Sequence, residues 1–263
     1  MFTPVIPTDG LAGWRFLQRT YEAQADAFRR SGPVQRDTAY FNDRISQISS
    51  ASDLVADRRL LSVALGAFGL EGDINNRFFI QKVLEEGTGA ADALANRLTD
   101  TRYRKLAVAF QFGPGQTPAT GTPGFADRIV AQFEANSFEV ATGAQDDAMR
   151  VALYAQRSLE PLASSDSSND AKWFTIMGDP PMRRLFEGAL GLPGSVGQID
   201  IDQQLGIFKD RAVAVFGSDD VAQFAGEDKL QEAITRFVVR DQLNAVAAGQ
   251  SGAANALVLL QGL

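Results

Sequence analysis

The chain has 263 residues, 45% of them apolar and 22% charged, with a formal charge of −7 and neither Cys nor His. That balance fits a soluble globular protein with a sizeable core, and no apolar run approaches the roughly 20 residues of a transmembrane helix. The missing residue types exclude disulfides, thiol nucleophiles, thiolate metal sites and imidazole acid–base chemistry, and the negative charge, with Lys and Arg clustered no further than short pairs such as Arg29-Arg30, argues against nucleic acid.

Met1 to Gly10 holds Pro4, Pro7 and Gly10, lacks the basic and apolar regions of a secretory signal, and reads as a flexible arm. Trp14, Leu17, Tyr21, Ala25 and Phe28 then fall on one face of a long amphipathic helix that Ser31-Gly32-Pro33 stops. A second helix from about Val34 carries Tyr40, Phe41, Ile45 and Ile48 inward, and Ser49 to Ser52 supply hydroxyls able to cap the next helix.

The stretch from Ser52 to Phe112 reads as four short packed helices. Their stripes are Leu54, Leu61, Ala64, Leu65 and Phe68; Ile74, Phe78, Val83 and Leu84; Leu94 and Leu98; and Tyr103, Leu106, Ala107 and Phe110. Gly69, Gly72, Gly87 and Gly89 stand at helix ends, and Asp73 and Asp100 are placed to cap the helices after them. GPGQTPATGTPG, residues 113–124, is too rich in Pro and Gly for a helix and reads as a linker between two helical halves. It contains no GxxxxGK[ST] or GxGxxG, so no nucleotide cradle is expected.

The second half, 125–248, opens with a helix through Phe125, Ile129, Val130, Phe133 and Phe138, then one through Met149, Val151, Ala152, Tyr154 and Leu159 that Pro161 closes. SSDSSND, residues 164–170, lacks the spacing of a calcium loop, and Asn169 or Asp170 is expected to cap a helix. Asp179-Pro180-Pro181 opens the clearest helix, with Met182, Leu185, Phe186, Ala189 and Leu190 on one face and Gly191 at its end. Short strands at Arg211 to Phe216 and Thr235 to Arg240 are compatible with their Val content. The tail, 249–263, is small and apolar, and Leu257, Val258, Leu259 and Leu260 need a cover from the body, a second subunit or another protein.

DRRLLSVALGAFGL, residues 57–70, and DPPMRRLFEGALGL, residues 179–192, share length, starting Asp and closing Gly-Leu. The likeness extends loosely from Ile74–Leu84 to Ile199–Phe208 and from Tyr103–Phe110 to Leu230–Phe237, which suggests a tandem repeat. The expected architecture is all-α, two similar helical halves packed as one unit. Glu85-Glu86, Asp146-Asp147 and Asp200 with Asp202 are the carboxylates close enough to consider for acid–base work. Adjacent residues on a helix diverge by about 100°, so solvated helix faces account for them better.

Taken in order, Tyr40, Asp53-Leu54, Asp57-Arg58-Arg59-Leu60, Ala64 to Leu70, Lys82-Val83-Leu84-Glu85, Asn96 to Asp100, Arg102-Tyr103 and Ala109-Phe110 resemble the alphaproteobacterial family catalogued as domain of unknown function 1217. Val151 to Tyr154 with Arg157, Asp179, Ala189 to Pro193, Asp200 to Gln203 and Arg236-Phe237 extend the resemblance to about Arg240. Phe41 and the shorter aromatic stretch near Tyr154 depart from the family pattern. Members are frequently encoded among flagellar genes, so the resemblance implies a role in flagellar assembly or structure, and it supplies no catalytic residue, cofactor or metal.

The function expected is therefore a non-enzymatic flagellum-associated structural, assembly or accessory protein, cytoplasmic or exported without a cleaved signal. A helical adaptor or regulator for a cytoplasmic protein is the alternative, and a carboxylate-based enzyme or small-ligand binder the remote one. A protein partner, probed through Trp14, Leu17, Tyr21 and Phe28 or through Leu257, Leu259 and Leu260, is expected, with a homo-oligomer as a further option and no nucleic acid or membrane insertion.

Overall fold

The computed structural model describes residues 2–261, with side chains as far as Ala247. Thirteen α-helices, joined by short 3-10 turns, make up the described residues, and no strand occurs among them. The segments compatible with strands continue helices. The fold is all-α, as the periodicity indicates, and no described helix is long and apolar enough to cross a membrane.

The chain divides into two compact units. The first takes Thr20–Thr142 with the residues up to Val5; the second takes Ile6–Arg19 with the residues from Gly143 on. The helix α1, Gly10–Arg29, thus contributes its first half to one unit and its second half to the other. The Gly/Pro stretch 113–124 is not where the division falls. It lies inside the first unit, where Ala119 and Thr120 are buried and the Thr120 hydroxyl donates to the Ile48 carbonyl at 2.6 Å. Proline and glycine end a helix there without freeing the chain, because the turn is packed and its polar groups are bonded.

In the first unit, α2 (Gly32–Arg44), α3 (Ala51–Ala56), α4 (Arg58–Ala67), α5 (Arg77–Glu86), α6 (Leu94–Arg97), α7 (Thr101–Phe110) and α8 (Phe125–Gly143) follow α1. The central stretch holds five helices, not four. Asp57 is extended and caps α4 through the N–H groups of Arg59 and Leu60, which splits the stripe from Leu54 to Phe68. Phe41, Ile45, Leu54, Leu61, Leu65, Leu84, Phe110 and Phe125 share one core. Phe78 is not in it, being 82% exposed. The helix α5 starts at Arg77 and turns Phe79, Ile80, Val83 and Leu84 inward. Asp73 does not cap α5: its carboxylate accepts from the Asn76 amide and from the Tyr103 hydroxyl at 2.6 Å. The Pro4-containing arm is held as well, since the Gln24 amide accepts from the Val5 N–H at 2.6 Å and donates to its carbonyl at 3.1 Å.

The second unit continues with α9 (Asp147–Ala163), α10 (Asn169–Met177), α11 (Pro180–Leu190), α12 (Ile201–Phe216) and α13 (Glu227–Gln261). Pro161 sits within the last turn of α9 and does not close it. Ser168 caps α10 through the Ala171 N–H, and the expected cap Asn169 instead ties the loop before Val221, accepting from the Val221 N–H and donating to the Asp219 carbonyl. The helix α11 packs on α9 and α13. Edge-to-face rings run through the core, Trp173 on Phe186 at 5.2 Å, Phe186 on Phe224 at 5.2 Å and Phe224 on Phe216 at 5.1 Å.

Candidate functional site

The residues of α1 expected to form a docking face are occupied within the fold. Trp14 and Leu17 are buried in the second unit, at 1% and 0% exposure. In the first unit Tyr21 and Phe28 meet the Phe138 ring edge-to-face, at 5.6 and 5.7 Å. The amphipathic stripe lies where the spacing places it, and its apolar side is core, because a helix this long in a compact chain finds its cover internally. Leu257, Leu259 and Leu260 lie outside the described side chains.

The carboxylates considered for chemistry are mostly committed to backbone and neighbours. Asp146 caps α9 through the Ala148 and Met149 N–H groups, and Asp200 caps α12 through the Asp202 N–H. Glu86 accepts from the Leu94 N–H at 2.6 Å, Glu85 from the Gln81 amide at 2.7 Å, and Asp147 pairs with Arg184. Among the described residues no three acidic side chains gather as a metal site.

What the two units do share is a repeated polar lock. Asp57 caps α4 and also accepts the Tyr40 hydroxyl at 2.7 Å; Asp179 caps α11 through the Met182 N–H and accepts the Tyr154 hydroxyl at 2.5 Å. An arginine covers each ring, Arg59 over Tyr40 at 4.6 Å and Arg157 over Tyr154 at 5.4 Å. Each tyrosine lies two α-helices before the capped one, Tyr40 on α2 for α4 and Tyr154 on α9 for α11, so a single carboxylate fixes both a helix start and a contact between helices that are not consecutive.

Electrostatics follow from that geometry. The hydrogen bond to Asp57 raises the Tyr40 hydroxyl above its ordinary value. Burial alone would lift the Asp57 carboxyl, but the Tyr40 hydroxyl and the N–H groups of Leu60 and Arg59 hold it below the usual range. Burial, aided by the bond to Asp73, raises the Tyr103 hydroxyl strongly.

The other ends of these helices match too. Gly69 and Gly191 close them with φ of +69° and +68°, and the next N–H reaches back to the equivalent carbonyl, Leu70 to Leu65 at 2.9 Å and Leu192 to Glu187 at 2.8 Å. This is the left-handed closure that glycine permits at no steric cost. One turn earlier, Gly66 lies under the Phe133 ring and Gly188 under the Phe237 ring. A Cβ would stand 2.8 and 2.5 Å from the respective Cδ2 atoms. Phe237 therefore corresponds to Phe133 of α8, which moves the third segment of the repeat from Tyr103–Phe110 to α8. Sequence spacing could not reveal the Tyr–Asp pairs, whose members are 17 and 25 residues apart.

Fold and site together define an all-α protein of two helical units, each centred on a carboxylate-capped, glycine-closed helix. The chain belongs to the family described as Protein of unknown function (DUF1217), whose profile matches residues 67–230. Its fold is similar to that of the crystal structure of protein AGR_C_984 from Agrobacterium tumefaciens, with a TM-score of 0.73 and 22% identity over 92% of this chain and 99% of that one. No curated protein matches the chain.

Proposed function

We propose that this protein is a non-enzymatic structural, assembly or accessory component associated with the flagellum. Membership of the DUF1217 family supports the flagellar part of the reading, through the gene neighbourhood that the family resemblance implies. The observation that carries the contact role is the use of the polar residues: Asp146 and Asp200, two of the carboxylates considered for chemistry, each accept N–H groups at a helix start, as Asp57 and Asp179 do. Carboxylates fixed in this way stabilise helices and are poorly placed to shuttle protons.

The test is deletion of the gene in a motile host that encodes it, with swimming, filament assembly and the cellular or extracellular location of the tagged protein as readouts. Impaired motility restored by the intact gene, with the tagged protein co-purifying with flagellar components, is the expected result. Normal swimming and filament assembly would overturn the reading. Exposed Leu243 and Val246 on α13 favour a second reading, a helical adaptor for a cytoplasmic partner. A partner outside the flagellum, lost when α13 is cut back, would favour that one.

A further inference from the structure

The turn that closes α11 gathers more positive charge than the fold uses. Arg211 donates to the Leu190 carbonyl from Nε at 3.2 Å and Nη2 at 2.8 Å. The Arg240 guanidinium packs on Gly191, where a Cβ would stand 2.7 Å from Nη1, 2.8 Å from Cζ and 2.9 Å from Nη2, so the missing side chain is what gives the group its seat. A helix C-terminus carries about half a negative charge, which one guanidinium offsets. Arg240 is therefore the surplus cation: it is exposed, and it makes no hydrogen bond or ion pair among the described residues.

The acids nearby are engaged elsewhere. Glu187 pairs with Arg183 at 2.7 Å and Asp241 with Arg184 at 3.4 Å. Glu232 is shared between Lys229 at 2.9 Å and Arg236 at 3.1 Å, one carboxylate between two cations. No Asp or Glu follows Asp241 in the sequence. Arg236, Arg240 and Asn244, about one helical turn apart in succession, line a cleft of about 420 Å³ completed by Ala189, Val239 and Leu243, with no acidic residue in its wall.

The first unit shows a comparable arrangement with a carboxylate in place. There Arg102 stands over the closing glycine of α4, donates to the Gly69 carbonyl, and is held by Asp100 through Nε at 3.0 Å and Nη2 at 2.7 Å. With Phe133 and Phe237 as equivalent points, the position of Arg240 is taken in α8 by Asn136, which is buried and donates to the Ala67 carbonyl at 2.6 Å. The second unit thus has an exposed guanidinium where the first has a satisfied amide, and over its closing glycine it lacks the acid that the first supplies. A planar fork of N–H donors in that state matches the two oxygens of a carboxylate.

We propose that this cleft is a carboxylate-binding site that takes a Glu or Asp side chain from a segment of a partner protein, with Arg240 as the donor fork and Arg236 and Asn244 beside it. The remaining wall is aliphatic, which favours uncharged neighbours around that carboxylate, and a chain of net charge −7 repels a polyanion. The site does not depend on the flagellar reading, because it is measured on the purified chain.

The experiment is a nuclear magnetic resonance titration of the full chain, following the arginine Nε–Hε and backbone amide signals, with the peptide acetyl-Ala-Leu-Glu-Leu-Ala-amide, its counterpart carrying Gln in place of Glu, and inorganic phosphate as probes. The Glu peptide should shift the Arg240 signal saturably in about the millimolar range, and the Gln peptide should not. Arg240→Gln should weaken binding of the Glu peptide at least about tenfold, read through the amides of Gly191 and Leu243, with unchanged far-ultraviolet helicity because the side chain has no partner to lose. Arg240→Lys keeps the charge without the fork and should fall between the two, and added salt should weaken binding to the intact chain. No saturable shift, equal binding of the Gln peptide, stronger binding of inorganic phosphate, or an Arg240→Gln variant that binds like the intact chain would overturn the proposal.

Discussion

Replacing Gly188 by alanine tests the repeated packing directly, because two effects of opposite sign meet at one atom. Alanine in a helix interior gains about 0.5–1 kcal/mol over glycine. At Gly188 the added Cβ would stand 2.5 Å from Phe237 Cδ2 and 3.2 Å from Cε2, and Phe237 is only 2% exposed, so the ring has no open side to swing into. Overpacking of this kind costs about 1–3 kcal/mol, which outweighs the propensity gain and leaves a net loss of about 1 kcal/mol. For a chain of this size that lowers the melting temperature by roughly 2–4 °C, read by circular dichroism or calorimetry. Gly66→Ala should cost less: the nearest Phe133 carbon is at 2.8 Å, and that ring is only partly buried and has room to give. Phe237→Leu should relieve the clash, so the cycle Gly188→Ala with Phe237→Leu should show a favourable coupling of about 1 kcal/mol. A rise in melting temperature for Gly188→Ala alone would refute the reasoning.

Three further outcomes rest on the polar contacts. Tyr154→Phe should cost about 1.5–3 kcal/mol and Tyr40→Phe about 1 kcal/mol, because the carboxylate that loses its hydroxyl partner is buried at 2% exposure in Asp179 but only partly buried in Asp57; equal losses in urea melts would contradict this ordering. Asp57, held below the usual carboxylate range, contributes stability that is complete above its unfolded value of about 3.9 and is lost as pH falls through the lower folded value. Asp57→Asn should therefore flatten the acid limb of the stability curve below about pH 4, and an unchanged slope would count against the lock. Thr120→Val, which keeps shape and removes the 2.6 Å bond to the Ile48 carbonyl, should cost about 1–2 kcal/mol, and a neutral result would show the 113–124 turn to be looser than its packing indicates.

Helix identity is largely legible in the sequence, because apolar spacing and capping residues are local signals. Asp100, Asp179 and Gly191 act at the helix ends where their types place them. Structure and sequence part where a local signal meets a tertiary one. Asp57 interrupts what reads as one apolar stripe by capping a new helix, and Phe78 has the spacing of a core residue although a one-residue change of phase exposes it. The turn 113–124 has the composition of a linker, yet a buried threonine and alanine anchor it. The Tyr–Asp locks depend on which helices lie side by side, information that periodicity does not carry.

The division of α1 has a consequence for how the chain is made. Residues 6–19 leave the ribosome before all of Thr20–Thr142, while the rest of their unit begins only at Gly143. The first unit can close once Thr142 has emerged, whereas the second must hold its earliest segment in reserve until its final helix is synthesised. A nascent chain halted shortly after Thr142 should thus already resist protease across Thr20–Thr142 while Trp14 and Leu17 remain open to cleavage, and a bulky fusion at the amino terminus should disturb the unit completed last.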